Sequence, residues 1–184
     1  MNWERIKWHG QDGTVAEVYV DQSKSVVKKI FKEGGTTVSG KKTKYSADVV
    51  SACFKNEVEW CHKLRGHWLP ELLEVHESKQ TFIQEYCGPD LLTYWQNKTL
   101  HKRIPDIVEQ VTNMHEFFKK HNCYKINSSL SNMAIKNNKI VAYDFKWAQK
   151  APLSAFWRKK EIECYREYIS KIDKTLPTIL ENMI

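Results

Sequence analysis

The stretch Asn127–Ala148, "NSSLSNMAIKNNKIVAYDFKWA", carries the most specific pattern in the chain. Two short apolar runs flank an Asn-Asn pair at 137–138, which predicts a β-hairpin with its turn at that pair. Asn127 and Asn132 precede the first run, and Asp144 follows the second. Asn132 and Asp144 thus place side-chain oxygens at the two ends of the predicted hairpin. Taken alone, Asn132 can be a loop-capping turn residue, and Asp144 can be a strand-end carboxylate that accepts backbone hydrogen bonds.

Composition allows one domain or two small lobes with a buried core, since the chain has 184 residues of which 41% are hydrophobic. Its net charge is +7, from 29 Lys and Arg against 22 Asp and Glu. This balance favours polyanionic partners, such as nucleotides, phosphoproteins, nucleic acid or an acidic membrane surface. A basic surface that serves only solubility is the alternative.

The expected compartment is the cytoplasm. The N-terminal residues "MNWERIKWHG" lack the apolar region of a signal peptide, and no apolar run is long enough for a membrane span, so we expect no membrane partner. The five cysteines are widely spaced and form no Cys-x-x-Cys pair. This pattern favours reduced thiols over a zinc site or a disulfide framework.

Hydrophobic periodicity predicts an α+β chain with sheet in front and helix behind. The predicted elements are, in order, strands at 5–9, 14–21 and 24–31, a helix at 47–65, strands at 72–75 and 81–86, helices at 91–97 and 104–121, the hairpin, and a helical tail at 155–173. The Gly-rich basic segment 32–46 is predicted to be a loop insertion.

This order, with particular residues at particular places, resembles the protein-kinase-like fold. The segment "WHGQDGTV" is similar to the glycine-rich loop of that superfamily, and it has Gly10, Gly13 and Val15 at matching positions. The segment "VVKKI" is similar to the third-strand motif, with Lys28 as its lysine because the family lysine follows two apolar residues. Lys29 is the rival candidate, and its side chain would point to the opposite face of the strand.

Two further segments extend the resemblance to the end of the predicted sheet. Glu57 in "FKNEVEWCHKL" resembles the helix glutamate that pairs with the lysine, and "FIQEYCGPDLLTYW" resembles the hinge. The hinge resemblance implies that Glu85 and Cys87 offer backbone groups to an adenine. The expected fold is therefore a two-lobed α+β kinase-like domain, with an N-lobe at 1–86, a truncated helical C-lobe at 87–184 and a nucleotide cleft between them.

The segment "KINSSLSN" resembles the catalytic loop of kinases, and Asn127 stands where the family has its catalytic Asp. A neutral carboxamide cannot take up the proton of an attacking hydroxyl, and loss of a general base typically costs about 10²- to 10⁴-fold in rate. The segment "DFK" resembles Asp-Phe-Gly, with Lys146 in place of the glycine. These resemblances imply that Asn132 and Asp144 hold the Mg²⁺ of bound ATP.

Three functions are compatible with the sequence. The favoured one is a pseudokinase that binds ATP and Mg²⁺, transfers phosphate poorly or not at all, and acts through a protein partner. The second is an active atypical phosphotransferase, with Asp90 or a substrate group in place of the base. The third is a basic nucleic-acid-binding or interaction domain, which rests on the net charge and the segment "GKKTK" and is the least favoured because no specific nucleic-acid motif is present.

Overall fold

The chain folds as an α+β protein, which confirms the predicted class. In the computed structural model it contains a five-stranded antiparallel sheet, a separate two-stranded hairpin and several helices. The structure describes residues 2–6, 15–33, 45–66 and 68–184. Gly10, Gly13 and the segment "GKKTK" lie outside the described residues, so the predicted glycine-rich loop stays a prediction. Within the described ranges, none of the helices is both long and apolar enough to cross a membrane.

The chain divides into two units. Unit 1 consists of Met1–Arg65 and Pro70–Tyr86, and unit 2 consists of Gly66–Leu69 and Cys87–Ile184. The last boundary lies between Tyr86 and Cys87. The short segment Gly66–Leu69 belongs to unit 2, and the Trp68 carbonyl within it accepts from the backbone N–H of Ala142 at 2.8 Å.

The sheet of unit 1 has the strand order β1-β2-β3-β5-β4, and each pair of neighbours is antiparallel. Short turns with a left-handed residue, Ser25 and Gln80, lead into β3 and β5. This topology puts β3 in the centre of the sheet. The strands are β1 at Glu4–Ile6, β2 at Ala16–Asp21, β3 at Val26–Phe31, β4 at Leu72–His76 and β5 at Thr81–Glu85.

Helix α1, at Ala47–Lys63, packs on the sheet of unit 1. It begins at Ser46, whose hydroxyl accepts a hydrogen bond from the Val49 backbone N–H, as N-cap serines do. The Phe54 ring meets the Phe31 ring of β3 edge to face, with centroids 5.6 Å apart. Because residues four apart lie on one helix face, Glu57 shares the buried face of the helix with the apolar core residues. Those residues are Val50, Cys53, Phe54, Trp60 and Cys61.

Unit 2 is helical apart from the predicted hairpin. The hairpin pairs β6, at Met133–Lys136, with β7, at Lys139–Ala142, across Asn137 and Asn138. Both asparagines have positive φ, 49° and 60°, as a tight hairpin turn requires, and the predicted hairpin is confirmed. The helices are α2 at Leu91–Gln96, α3 at Leu100–Arg103, α4 at Ile107–Lys120, α5 at Ala155–Glu167 and α6 at Leu176–Glu181.

Helix α4 holds the hairpin in place through Gln110. The Gln110 side-chain amide donates to the Asn138 carbonyl at 3.1 Å, and its oxygen accepts from the Ile140 N–H at 2.8 Å. Two residues before the end of α4, Phe118 meets the buried Phe145 ring edge to face, with centroids 5.4 Å apart. These contacts fix the chain that follows β7, and Asp144 lies in that chain.

Candidate functional site

The lysine that pairs with Glu57 is Lys29, so the prediction that Lys28 does so is wrong. The Lys29 ammonium donates to the two Glu57 carboxylate oxygens at 2.9 and 2.7 Å. Both residues are buried, with 8% and 2% of their surfaces exposed. Strand alternation explains the choice: Lys29 shares its face of β3 with Phe31, and that face packs against α1.

Lys28 points to the opposite face of the sheet. Its ammonium lies 4.5 Å from the centroid of the Trp3 ring and 5.0 Å from that of Tyr19, which are cation–π distances. The family spacing selected Lys28 because two apolar residues precede it. Side chains alternate between the two faces of a strand. The core lies against the face that carries Lys29, and this alternation therefore selects Lys29.

The other predicted nucleotide contacts of unit 1 are Val15 and Glu85, and both are tied into backbone pairing. Val15 is fully buried, and its carbonyl accepts from the Lys32 N–H at 3.0 Å. The Glu85 N–H donates to the Glu71 carbonyl at 2.9 Å, so this N–H already has a partner. Cys87, which is partly exposed, begins the main segment of unit 2. Adenine binding at Glu85 and Cys87 stays a prediction.

In unit 2, Asn127 is an exposed residue with a left-handed backbone, at φ 65°. Asparagine adopts this conformation more readily than most residues do. Its carbonyl accepts from the Ser129 N–H at 2.8 Å, from the Asn132 amide at 2.9 Å and from the Lys125 ammonium at 3.3 Å. Asn127 and Asn132 thus belong to one hydrogen-bonded loop, as their spacing suggested.

Glu161 of α5 anchors this loop by its backbone. The sequence did not predict a role for this residue. It is fully buried, and its carboxylate accepts from the backbone N–H of Asn127 at 2.6 Å and from that of Ser128 at 3.3 Å. Burial raises the pKa of the Glu161 carboxyl to about 7, although these hydrogen bonds act to lower it. A signal existed, because Glu161 shares the helix face of the buried Cys164 and Tyr165, three and four residues on.

Lys125 is a second buried charge that the sequence did not reveal. It is 3% exposed, and its ammonium lies 5.5 Å from the Phe145 ring centroid. Burial lowers the pKa of Lys125, while the carboxylates of Asp144 and Glu161 act in the opposite direction. The loop around Asn127 therefore sits among buried groups of both signs.

Asp144 follows β7 with a left-handed backbone, at φ 69°. The N–H of the preceding residue, Tyr143, donates to the Asn132 carbonyl at 3.1 Å, which joins the two predicted metal ligands through adjacent backbone. Both Asp144 carboxylate oxygens accept from the Lys146 ammonium. The structure thus brings Asn127, Asn132 and Asp144 into one region of unit 2. In that region the Lys146 ammonium contacts the Asp144 carboxylate.

These side chains, as arranged, do not fit a magnesium ion. Mg²⁺ binds through carboxylate oxygens, and at Asp144 the Lys146 ammonium already donates to both, so the ion would compete with this contact. No group of three or more His, Cys, Asp or Glu that could hold a metal occurs in the part of the chain that the structure describes. Magnesium at Asn132 and Asp144 would require displacement of Lys146.

Asp90, the suggested substitute for the catalytic base, has a structural role. It is 2% exposed, and one carboxylate oxygen accepts from both the N–H and the hydroxyl of Thr93 at 2.8 Å. This is the geometry of an N-cap at the start of α2. Because this oxygen is committed to the helix end, Asp90 is a poor candidate for a general base.

Comparison with known proteins does not assign the chain to a family. No protein-family model matches the chain, and no curated protein matches it either. Fold and site together define an α+β protein with a buried lysine–glutamate pair in one unit and an Asn-Asp-Lys cluster in the other. Membership of the protein-kinase-like superfamily stays a prediction that depends on these residues.

Proposed function

We propose that the chain is a degenerate protein-kinase-like protein that binds a nucleotide, transfers phosphate poorly or not at all, and acts through a partner protein. The observation that carries the proposal is the buried pair of Lys29 and Glu57. Removing two charges from water costs about as much as their attraction returns, so such a pair adds little net stability. Its presence is better explained by a need for one ammonium at a fixed place, as phosphate binding by a kinase-like third strand requires.

The lack of efficient transfer follows from Asn127. Its side chain is a neutral amide in the place of the family's catalytic carboxylate, and it cannot act as a base at ordinary pH. Its backbone is held on both sides, by Glu161 at the N–H and by Asn132 and Lys125 at the carbonyl. The loop is therefore well positioned without a base, which favours binding over turnover.

The partner follows from the same reasoning. A nucleotide-binding protein without efficient turnover acts through what it binds, and a net charge of +7 favours a partner with an acidic surface. Nucleic acid is the less favoured partner, because the sequence contains no recognised nucleic-acid motif.

Thermal unfolding of the full chain with and without millimolar ATP tests the nucleotide part. Binding to the folded state raises the melting temperature by mass action, and at 100-fold excess over Kd the stabilisation is about 2.7 kcal/mol. Lys29→Met should abolish the ATP-dependent rise, measured against its own baseline, while the matched control Lys28→Met should keep it. A melting temperature that ATP leaves unchanged in the wild type would refute nucleotide binding.

ADP formation separates the two kinase-like functions. The wild type should form ADP no faster than a blank, and Asn127→Asp should form it faster if the missing carboxylate is the main defect. Steady ADP formation by the wild type with an added acceptor would instead support the active atypical phosphotransferase.

A further inference from the structure

The pair of Asp144 and Lys146 lies where the resemblance placed a metal ion. Lys146 follows Asp144 by two residues, and its ammonium donates to both carboxylate oxygens. The two side chains are 13% and 12% exposed, so water screens the pair little. A shielded, two-oxygen contact of this kind is much harder to displace than a surface ion pair.

Charged groups of both signs surround Asp144. Lys125 interacts electrostatically with Asp144, with Glu161 and, unfavourably, with Lys146. This cluster offers two carboxylates and two amines, all of them at least half-buried. A divalent ion at Asp144 would add two positive charges beside the ammonium groups of Lys125 and Lys146.

We propose that the chain binds nucleotide phosphate without a divalent cation, and that the Lys146 ammonium takes the place of the metal at Asp144. The inference rests on the proposed nucleotide binding and names how the phosphate is neutralised. An ammonium is a compact point charge that can donate to a carboxylate and a phosphate at once, because it has three N–H groups. Asp144 is then a positioning residue, which orients Lys146 and does not ligate a metal.

The first test compares ATP binding in MgCl₂ and in EDTA, by the shift in melting temperature of the full chain. The wild-type shift should be at least as large in EDTA as in MgCl₂. Lys146→Met should weaken ATP binding in EDTA by about ten- to hundredfold, as loss of a charged hydrogen bond does, and should make the remaining binding depend on Mg²⁺. Lys146→Arg, which keeps the charge, should retain binding in EDTA, and Lys120→Met, an exposed lysine on α4, should behave as wild type.

The second test uses Mn²⁺ alone as a probe, without nucleotide, and measures its binding by electron paramagnetic resonance. The wild type should leave Mn²⁺ free in solution, while Lys146→Met should bind it through the Asp144 carboxylate. Wild-type protein that binds Mn²⁺, or that needs Mg²⁺ for its ATP shift, overturns the inference and leaves nucleotide binding intact. The absence of any ATP shift in both buffers refutes the proposed function, and the inference with it.

Discussion

Removing the Lys29 ammonium should destabilise the chain far more than removing that of Lys28, one residue earlier. Lys29 donates to both oxygens of a Glu57 carboxylate that is 2% exposed. The Lys29→Met variant leaves this buried carboxylate without its ammonium, and removal of one partner of a buried pair costs about 3–5 kcal/mol. The free energy of unfolding should fall by that amount.

Two matched controls set the scale. Lys28→Met removes only cation–π contacts with Trp3 and Tyr19, which are worth about 0.5–1 kcal/mol. Lys63→Met removes a half-exposed pair with Glu59 on α1, and such surface pairs contribute about 0–1 kcal/mol. Lys63→Met should therefore lie within about 1 kcal/mol of the wild type, and Lys28→Met within about 2 kcal/mol.

The double variant Lys29→Met with Glu57→Met separates loss of the pair from loss of one charge. Replacing a whole buried pair by apolar side chains of similar size is often neutral or stabilising, so the double variant should recover most of the loss. Urea denaturation followed by circular dichroism measures the free energies. Hydrogen exchange of β3 and α1 peptides shows whether the loss lies in unit 1.

The reasoning is refuted if Lys29→Met and Lys28→Met are equally stable. It also fails if the double variant loses as much as the two single changes added together. For a chain of this length, about 1 kcal/mol shifts the melting temperature by roughly 2–4 °C, so the expected difference between the two lysine variants is easily resolved.

Three further predictions concern buried groups of unit 2. The Glu161 pKa is raised from its ordinary 4.5 to about 7, so the folded state holds the proton more tightly and stability falls as pH rises from 4.5 through 7. Glu161→Gln should remove this pH dependence of the free energy of unfolding, which amounts to about 3 kcal/mol over that pH range. Urea denaturation at a series of pH values across the range measures it. Burial lowers the His115 pKa from 6.5 to about 3, so stability falls as pH falls below 6.5, and His115→Phe should abolish this acid loss in the same assay. Asp90→Ala should cost about 1–2 kcal/mol in urea denaturation as a lost helix cap, and Asp90→Asn much less.

The elements that local chemistry determines were predictable. The Asn137-Asn138 turn is encoded by residues that tolerate positive φ, and the apolar runs on either side leave one register for the hairpin. Helix α1 was predicted for a similar reason, since its apolar residues recur at the helical period. In both cases the signal lies within a few residues of the structure that it specifies.

The contacts that define the site depend on chain segments far apart in sequence, and the sequence did not reveal them. Glu161 accepts from the Asn127 backbone N–H across 34 residues, and the sequence next to Asn127 does not indicate a buried carboxylate. The choice between Lys28 and Lys29 needed the position of α1 relative to the sheet face. The residues of the site were largely named from the sequence, but their partners were not.

Relative to the motifs that they resemble, Asn127 and Lys146 change the local charge in the same direction. Asn127 replaces a carboxylate and so removes one negative charge, and Lys146 replaces a glycine and so adds one positive charge. Together they shift the charge of the cluster by two positive units, which is the charge of one Mg²⁺ ion. On the proposed function, a site altered in this way would need no divalent cation to neutralise a phosphate, and it would also lack the base that activates an acceptor. It follows that Lys146→Gly alone returns only half of the charge, and that Asn127→Asp is needed beside it before a metal-dependent transferase could be expected.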